Sequence, residues 1–220
     1  MGVLYNYKEM IELYGSDYKL KKAIAKKEVF TIEKGIYSDD KCNYSTYELI
    51  LKKYDKSFLV KDSALYHLGF VKDEPDKIHV GTARNAVRIK DKRVQQHFYG
   101  NLDKKTLESR YGYEIKHILC SDNIRSYTTE NQNEIRFWDL QALLFDLIRD
   151  SKNYPRQELL DLLLKFRECS VFTEFDYDDF LYNFYNENLF FDKEIHKMIE
   201  EIETYVIERK CEKKWNWDWI

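Results

Sequence analysis

Six lysines stand between residues 18 and 34, at Lys19, Lys21, Lys22, Lys26, Lys27 and Lys34, opposed only by Glu28 and Glu33. Ammonium groups at this density make no bonds in a reaction. Their chemistry is electrostatic: they neutralise a polyanion and release its counterions. Tyr18 opens the same stretch with a ring and hydroxyl that can reach a base edge. Helical spacing sorts these residues. At about 100° per residue, Leu20, Ala23 and Ile24 of "DYKLKKAIAKKE" share one face, and Tyr18, Lys19, Lys22, Ala25 and Lys26 take the other. The basic side is therefore the outside. Tyr18 and Lys22 are the best-placed base readers, with Lys19, Lys21, Lys26, Lys27 and Lys34 as phosphate contacts. The plainer alternative is a solvated lysine face beside a structural hairpin, since charge runs are usually solvated.

Other chemistry-bearing residues are scattered. In "FDYDDF", residues 175–180, Asp176 and Asp178 have the Asp-x-Asp spacing with which nucleotidyltransferases hold Mg²⁺. The Gly-Ser turn that precedes such pairs is replaced by Thr173-Glu174, and an aspartate capping a helix is the more ordinary use. A Mg²⁺-dependent nucleotidyltransferase therefore stays as the alternative, and the expectation is a non-enzyme without metal or cofactor. His67 and His196 are expected in helices and His79, His97 and His117 in strands. No HExxH and no clustered pairing links them. Arg84, in "GTARN", follows a strand and suits an acid or phosphate. Arg149 suits a pair across a sheet–helix junction. For both, an ion pair that fixes a loop is the favoured reading. Cys42, Cys120, Cys169 and Cys211 lack zinc-site spacing and read as reduced thiols.

The elements that must position these groups belong to an ordinary folded chain. Of 220 residues, 44 % are apolar and 34 % charged, which excludes a disordered segment. With 7 Gly and 2 Pro, few stretches read as linkers. The net charge of −3 argues against global coating of DNA, but it is unevenly spread. Residues 150–205 hold fourteen Asp and Glu against six Lys and Arg, so a basic head faces an acidic tail. No apolar run approaches the ~18 residues of a membrane span. The N-terminus lacks the apolar core of a signal peptide, and Asn6 breaks a myristoylation match at Gly2. A cytoplasmic protein without a membrane partner is expected.

Along the chain, "YNYKEMIELY" at 5–14 spaces Tyr7, Met10, Ile11 and Tyr14 as a short helix, and Gly15 ends it. Ser16 stands at a helix N-cap with Asp17 in the first turn. "VFTIEKGIY" reads as a hairpin turning at Lys34-Gly35. Helices follow at "STYELILKKYD", capped by Ser45, and at "KDSALYHLGF", with Ser63 in the first turn. "DKIHV", "RVQQHFYG", "RYGYEIKHILC", "NIRSYTT" and "EIRFW" read as strands of a small, mainly antiparallel sheet. "DLQALLFDLIRD", "PRQELLDLLLKFRE" with Pro155 at the first helical position, "DYDDFLYNFYNEN" and "DKEIHKMIEEIETYVIERK" read as helices. The expected class is α+β. A winged helix-turn-helix head at 1–41 precedes a mixed domain at 42–220 whose C-terminal half is a helical bundle. Trp215, Trp217 and Trp219 alternate and call for burial, on the chain's own body or on a second copy.

The succession "LKKAIAKKEVFTIEKGIYS", then "SALYHLGFVKDEPDKIHVGTAR", then "EIRFWDLQALLFDLIRD" resembles the AbiEi family. That family is the antitoxin and transcriptional-regulator half of AbiE abortive-infection systems. The matching features are a leucine-bearing helix with a short wing, a Ser-Ala-Leu-Tyr, Leu-Gly, Ile-His and Thr-x-Arg order, and Asp146-Leu147-Ile148-Arg149. They span residues 18 to about 150. The resemblance implies a type IV toxin–antitoxin module of phage defence. The head would bind inverted repeats of operator DNA, as a homodimer, and repress its own operon. The remainder would counter a nucleotidyltransferase-like toxin without necessarily gripping it. One departure is that the family's leading helix is missing or very short, and "STYELILKKYD" is expected to supply its packing. A protein-interaction module, with acidic helices for a basic partner, is the third reading.

Overall fold

The computed structural model describes residues 2–100, 121–169, 176–177 and 193–209. Among these are seven α-helices and two sheets, a mixed α+β architecture. Strand β1 (Leu4–Asn6) leads into α1 (Tyr7–Tyr14). Residues 5–6, expected as helix, are therefore strand. The reason is local: Asn6 caps α1, its side chain accepting from Glu9 N at 3.0 Å while the Glu9 carboxylate accepts from Asn6 N at 2.7 Å. Gly15 ends α1 at φ 76°. Helix α2 (Asp17–Ala25) begins on Ser16, whose hydroxyl accepts from Lys19 N at 3.3 Å. Strands β2 (Phe30–Glu33) and β3 (Ile36–Ser38) form the hairpin, with Gly35 at φ 81° in its turn. A left-handed residue there is what glycine allows without a Cβ penalty. The three strands pair antiparallel in the order β1-β3-β2.

Helix α3 (Thr46–Lys53) is held at its start by Ser45 and Glu48, which cap each other. One side of α3 gives Leu49 to a cluster with Leu4 and Ile36. The other gives Tyr47, Ile50 and Leu51 to the main core. Lys52 and Lys53 then tie it to Glu9 and Glu33 at 2.7 and 2.6 Å. The helix "STYELILKKYD" thus packs against the small N-terminal sheet.

The second sheet runs β6-β5-β4-β8-β7, with β4 (Phe58–Leu59), β5 (Ile78–Ala83), β6 (Val94–Tyr99), β7 (Ile124–Thr128) and β8 (Glu134–Trp138). The expectation of a mainly antiparallel sheet is corrected here. The pairs β4–β5 and β7–β8 are antiparallel, but β5–β6 and β4–β8 are parallel. Residues 84–93 carry the chain back so that β6 enters beside β5 in the same direction, and the two-residue β4 joins the halves. At Gly81 a Cβ would fall 2.5 Å from the Phe58 ring, so the glycine of "HVGTARN" serves packing. Phe58 in turn meets Trp138 and Tyr99 at ring separations of 4.5 and 6.0 Å.

Helix α4 (Lys61–His67) packs on β5 through Ser63, whose hydroxyl accepts from His79 N at 2.7 Å. Helices α5 (Leu140–Arg149), α6 (Arg156–Cys169) and α7 (Lys193–Arg209) follow the sheet. Pro155 lies just before α6 rather than inside it, its carbonyl accepting from Leu159 N. Leu144, Leu163, Phe166, Ile195 and Ile199 join these helices to the sheet in one core. Arg156 meets Glu201 at 2.6 Å across α6 and α7. None of the helices among the described residues is long and apolar enough to cross a membrane. The expected strand "RYGYEIKHILC", most of the helix "DYDDFLYNFYNEN", Asp178, His117 and the tryptophan-rich tail lie outside the described residues.

Candidate nucleic-acid interface

Helix α2 is amphipathic because its inner positions have a core to enter. Leu20 and Ala23 are buried with Met10 of α1 and Val29, and Tyr5, Ile11, Tyr14, Ile24 and Tyr37 pack around them. That burial fixes which way the helix faces. Tyr18, Lys19, Lys21, Lys22, Lys26 and Lys27 are all exposed, Tyr18 at 76 %, and Lys34 is exposed at the hairpin turn. Tyr18, Lys22 and Lys26 succeed one another at i, i+4 and i+8 along one stripe.

The lysines are not equivalent. Lys21 is held by Asp17 at 2.7 Å, a bond that draws the Asp17 carboxyl below its usual range and raises the Lys21 ammonium. Asp17 also accepts from the Tyr7 hydroxyl at 3.2 Å. Lys26 lies 3.6 Å from Glu28. Among the described residues Lys19, Lys22, Lys27 and Lys34 form no ion pair. Ammonium groups of this kind, strongly hydrated and mobile on long stems, suit phosphate as point charges.

The two arginines singled out in the body part company. Arg84 is exposed at the start of the segment joining β5 to β6 and forms no ion pair among the described residues. Arg149 meets Asp146 at 2.5 Å and Asp150 at 3.6 Å, with its guanidinium 5.7 Å from the centre of the Tyr99 ring. Tyr99 donates its hydroxyl to the same buried Asp146, and Lys61 pairs with Asp150. Arg149 therefore closes a charge-satisfied junction between α5 and the sheet.

The histidines need a correction. His79 and His97, expected to be unlinked, stand with Nδ1 and Nε2 3.3 Å apart and ring centres at 5.0 Å. The parallel register sets His97 opposite Gly81 and His79 opposite Gln95, so the two rings are diagonal neighbours on one face. Burial first, and Lys61 second, push the His97 imidazole down to about 4. His67 and His196 do lie in helices. No group of three or more His, Cys, Asp or Glu among the described residues could hold a metal ion. Cys42 is an exposed free thiol, Cys169 is buried, and Asp176 is exposed.

A second basic segment was not singled out from sequence. In "RNAVRIKDKR", residues 84–93, five cations stand against Asp91 alone, a charge run as dense as that of α2. Its place in the fold is fixed by an ion-pair network at the hairpin. Arg93 reaches Glu33 of β2 at 2.6 Å and Asp91 at 2.7 Å, while Lys53 of α3 bridges Glu33 and Asp91 at 2.6 and 3.0 Å. The Arg93 bond, and behind it that of Lys53, hold the Asp91 carboxyl far below its ordinary value. The charge was visible in the sequence; its neighbourhood was not. No protein-family model matches the chain, and a search of curated proteins gives no match.

Proposed function

We propose that residues 1–41 form a winged helix-turn-helix head, completed by α3, that binds DNA and represses its own operon. Helix α2 enters the major groove, Tyr18 and Lys22 reach base edges, and the remaining lysines contact phosphates. Lys34 at the turn of the hairpin touches the flanking backbone as the wing. The observation that carries this reading is the division of α2: every residue expected to touch DNA is exposed, and the opposite face is sealed against α1. Groove entry needs such a helix, with one face structural and the other basic, about 10–12 Å across.

In this reading the chain is an antitoxin of the AbiEi type and not an enzyme. Two copies sit on inverted repeats, and the domain at 42–220, with its C-terminal helical bundle, counters a nucleotidyltransferase-like toxin. A gel shift with the DNA upstream of the gene tests the head. Retardation should weaken steeply with salt, and Lys22→Ala combined with Lys26→Ala should weaken it on every sequence. Unaltered binding by the double variant would remove α2 from the interface. Co-expression with the product of the neighbouring gene tests the second half: rescue of growth is expected, and its absence would leave only the regulator.

A further inference from the structure

We infer that the segment joining β5 to β6 is a second phosphate-contacting surface, set beside the hairpin so that one DNA duplex runs from the head onto the body. The inference rests on the DNA-binding reading of the head. It concerns residues that the helix-and-hairpin arrangement does not contain.

Between residues 88 and 93 the chain alternates. Ile89, Asp91 and Arg93 are half-buried, and Arg88, Lys90 and Lys92 are exposed. Each of the first three is held. Ile89 packs against the main core and donates its amide to the Gln96 side chain at 2.7 Å. Asp91 and Arg93 enter the network with Lys53 and Glu33. Gln96 also donates to Thr82 at 2.8 Å and to the Val87 carbonyl at 3.2 Å. Residues 88–93 are thus a built stretch whose outward positions are all cationic, and none of these three exposed cations has an ion-pair partner among the described residues.

Its position gives that charge a use. Glu33 is the last residue of β2, and Lys34, the exposed cation of the hairpin turn, follows it directly. The 2.6 Å bond from Arg93 to Glu33 therefore sets the loop at the root of the same hairpin. The acids in the network are consumed by Lys53 and Arg93, so they leave the outward cations uncompensated. A duplex carries one phosphate per about 1.7 Å of axis, so a strip of cations beside an already engaged hairpin meets phosphates without needing a base sequence.

The test compares three full-length proteins: the parent, the head variant Lys22→Ala/Lys26→Ala, and the loop variant Arg88→Ala/Lys90→Ala/Lys92→Ala. All five substituted side chains are exposed, so the variants should melt with the parent, and matched thermal melts check it. Binding to the upstream duplex is read as a function of salt, with hydroxyl-radical footprints of each complex. The loop variant should still bind and keep the central footprint. It should lose protection on one flank, and its salt slope should become shallower by up to about 2.7, at about 0.9 per phosphate. A loop variant with the parent's slope and footprint, beside a head variant that has lost binding, overturns the loop and leaves the head standing. A parent that does not bind DNA overturns both. Parent binding to phosphatidylserine vesicles that the loop variant loses, with its DNA binding unchanged, assigns the loop to a lipid surface and also overturns the proposal.

Discussion

Replacing Asp17 with asparagine asks whether the lysines of α2 act singly as phosphate ligands. Asp17 holds Lys21 at 2.7 Å and Lys26 lies 3.6 Å from Glu28, so of the lysines proposed to touch phosphate, Lys19, Lys27 and Lys34 form no ion pair among the described residues. Three such contacts give log Kobs against log salt a slope of about −2.7, at about −0.9 per phosphate. Freeing Lys21 adds a fourth and steepens it to about −3.6, and near 0.15 M salt the same relation tightens binding about fivefold. The substitution has an opposing effect on the fold. Asp17 lies in the first turn of α2, where a carboxylate favours the helix dipole by about 0.3–1 kcal/mol, so the variant should melt slightly earlier while binding more tightly. Fluorescence anisotropy of a labelled operator duplex across a salt series reads slope and affinity together. Weaker binding, or a slope equal to the parent's, would refute the additive account of these lysines.

Three other perturbations probe the scaffold. Leu20→Ala removes one of four buried residues in the head's own core and should cost about 2–4 kcal/mol in urea unfolding, with DNA binding lost in parallel. Gly35→Ala places a Cβ in open space at φ 81°, so only backbone strain of about 1 kcal/mol should appear in the urea midpoint. His97, pushed down to about 4 by burial, is protonated in the unfolded chain before the folded one as pH falls. Stability should hold above the ordinary value of 6.5, decline from there to about 4, and flatten below. Urea midpoints at several pH values read this, and His97→Gln should remove part of the decline.

What was legible in the sequence was what neighbouring residues decide among themselves. Ser16, Ser45 and Gly15 mark helix ends because a cap needs only a side-chain oxygen or a left-handed backbone within one turn. The inner face of α2 was legible because a helix repeats itself. Phe58–Leu59 was not, since two residues show no alternation and become strand only through β5 and β8. The parallel run of β6 beside β5, and with it the meeting of His79 and His97, depends on a register set by distant packing. Residues 5–6 were misread as helix because their apolar spacing continues that of α1, while the cap at Asn6 interrupts it. The seven residues proposed to touch DNA were found by charge and period. The basic segment at 84–93 needed the Arg93–Glu33 bond to give it a neighbour.

Helix α3 makes the N-terminal unit hard to cut out as a cassette. A fragment ending at residue 41 would lay bare Leu4 and Ile36, which Leu49 covers, and would free Glu9 and Glu33 from Lys52 and Lys53. The rest of the chain, begun at residue 42, would keep α3 with one flank stripped. Asn133 deepens the entanglement: from the position just before β8 it accepts from Leu4 N at 2.7 Å and donates to the Gly2 carbonyl at 2.9 Å. A graft of this head onto another protein would have to carry α3 entire and supply its own stand-in for that asparagine.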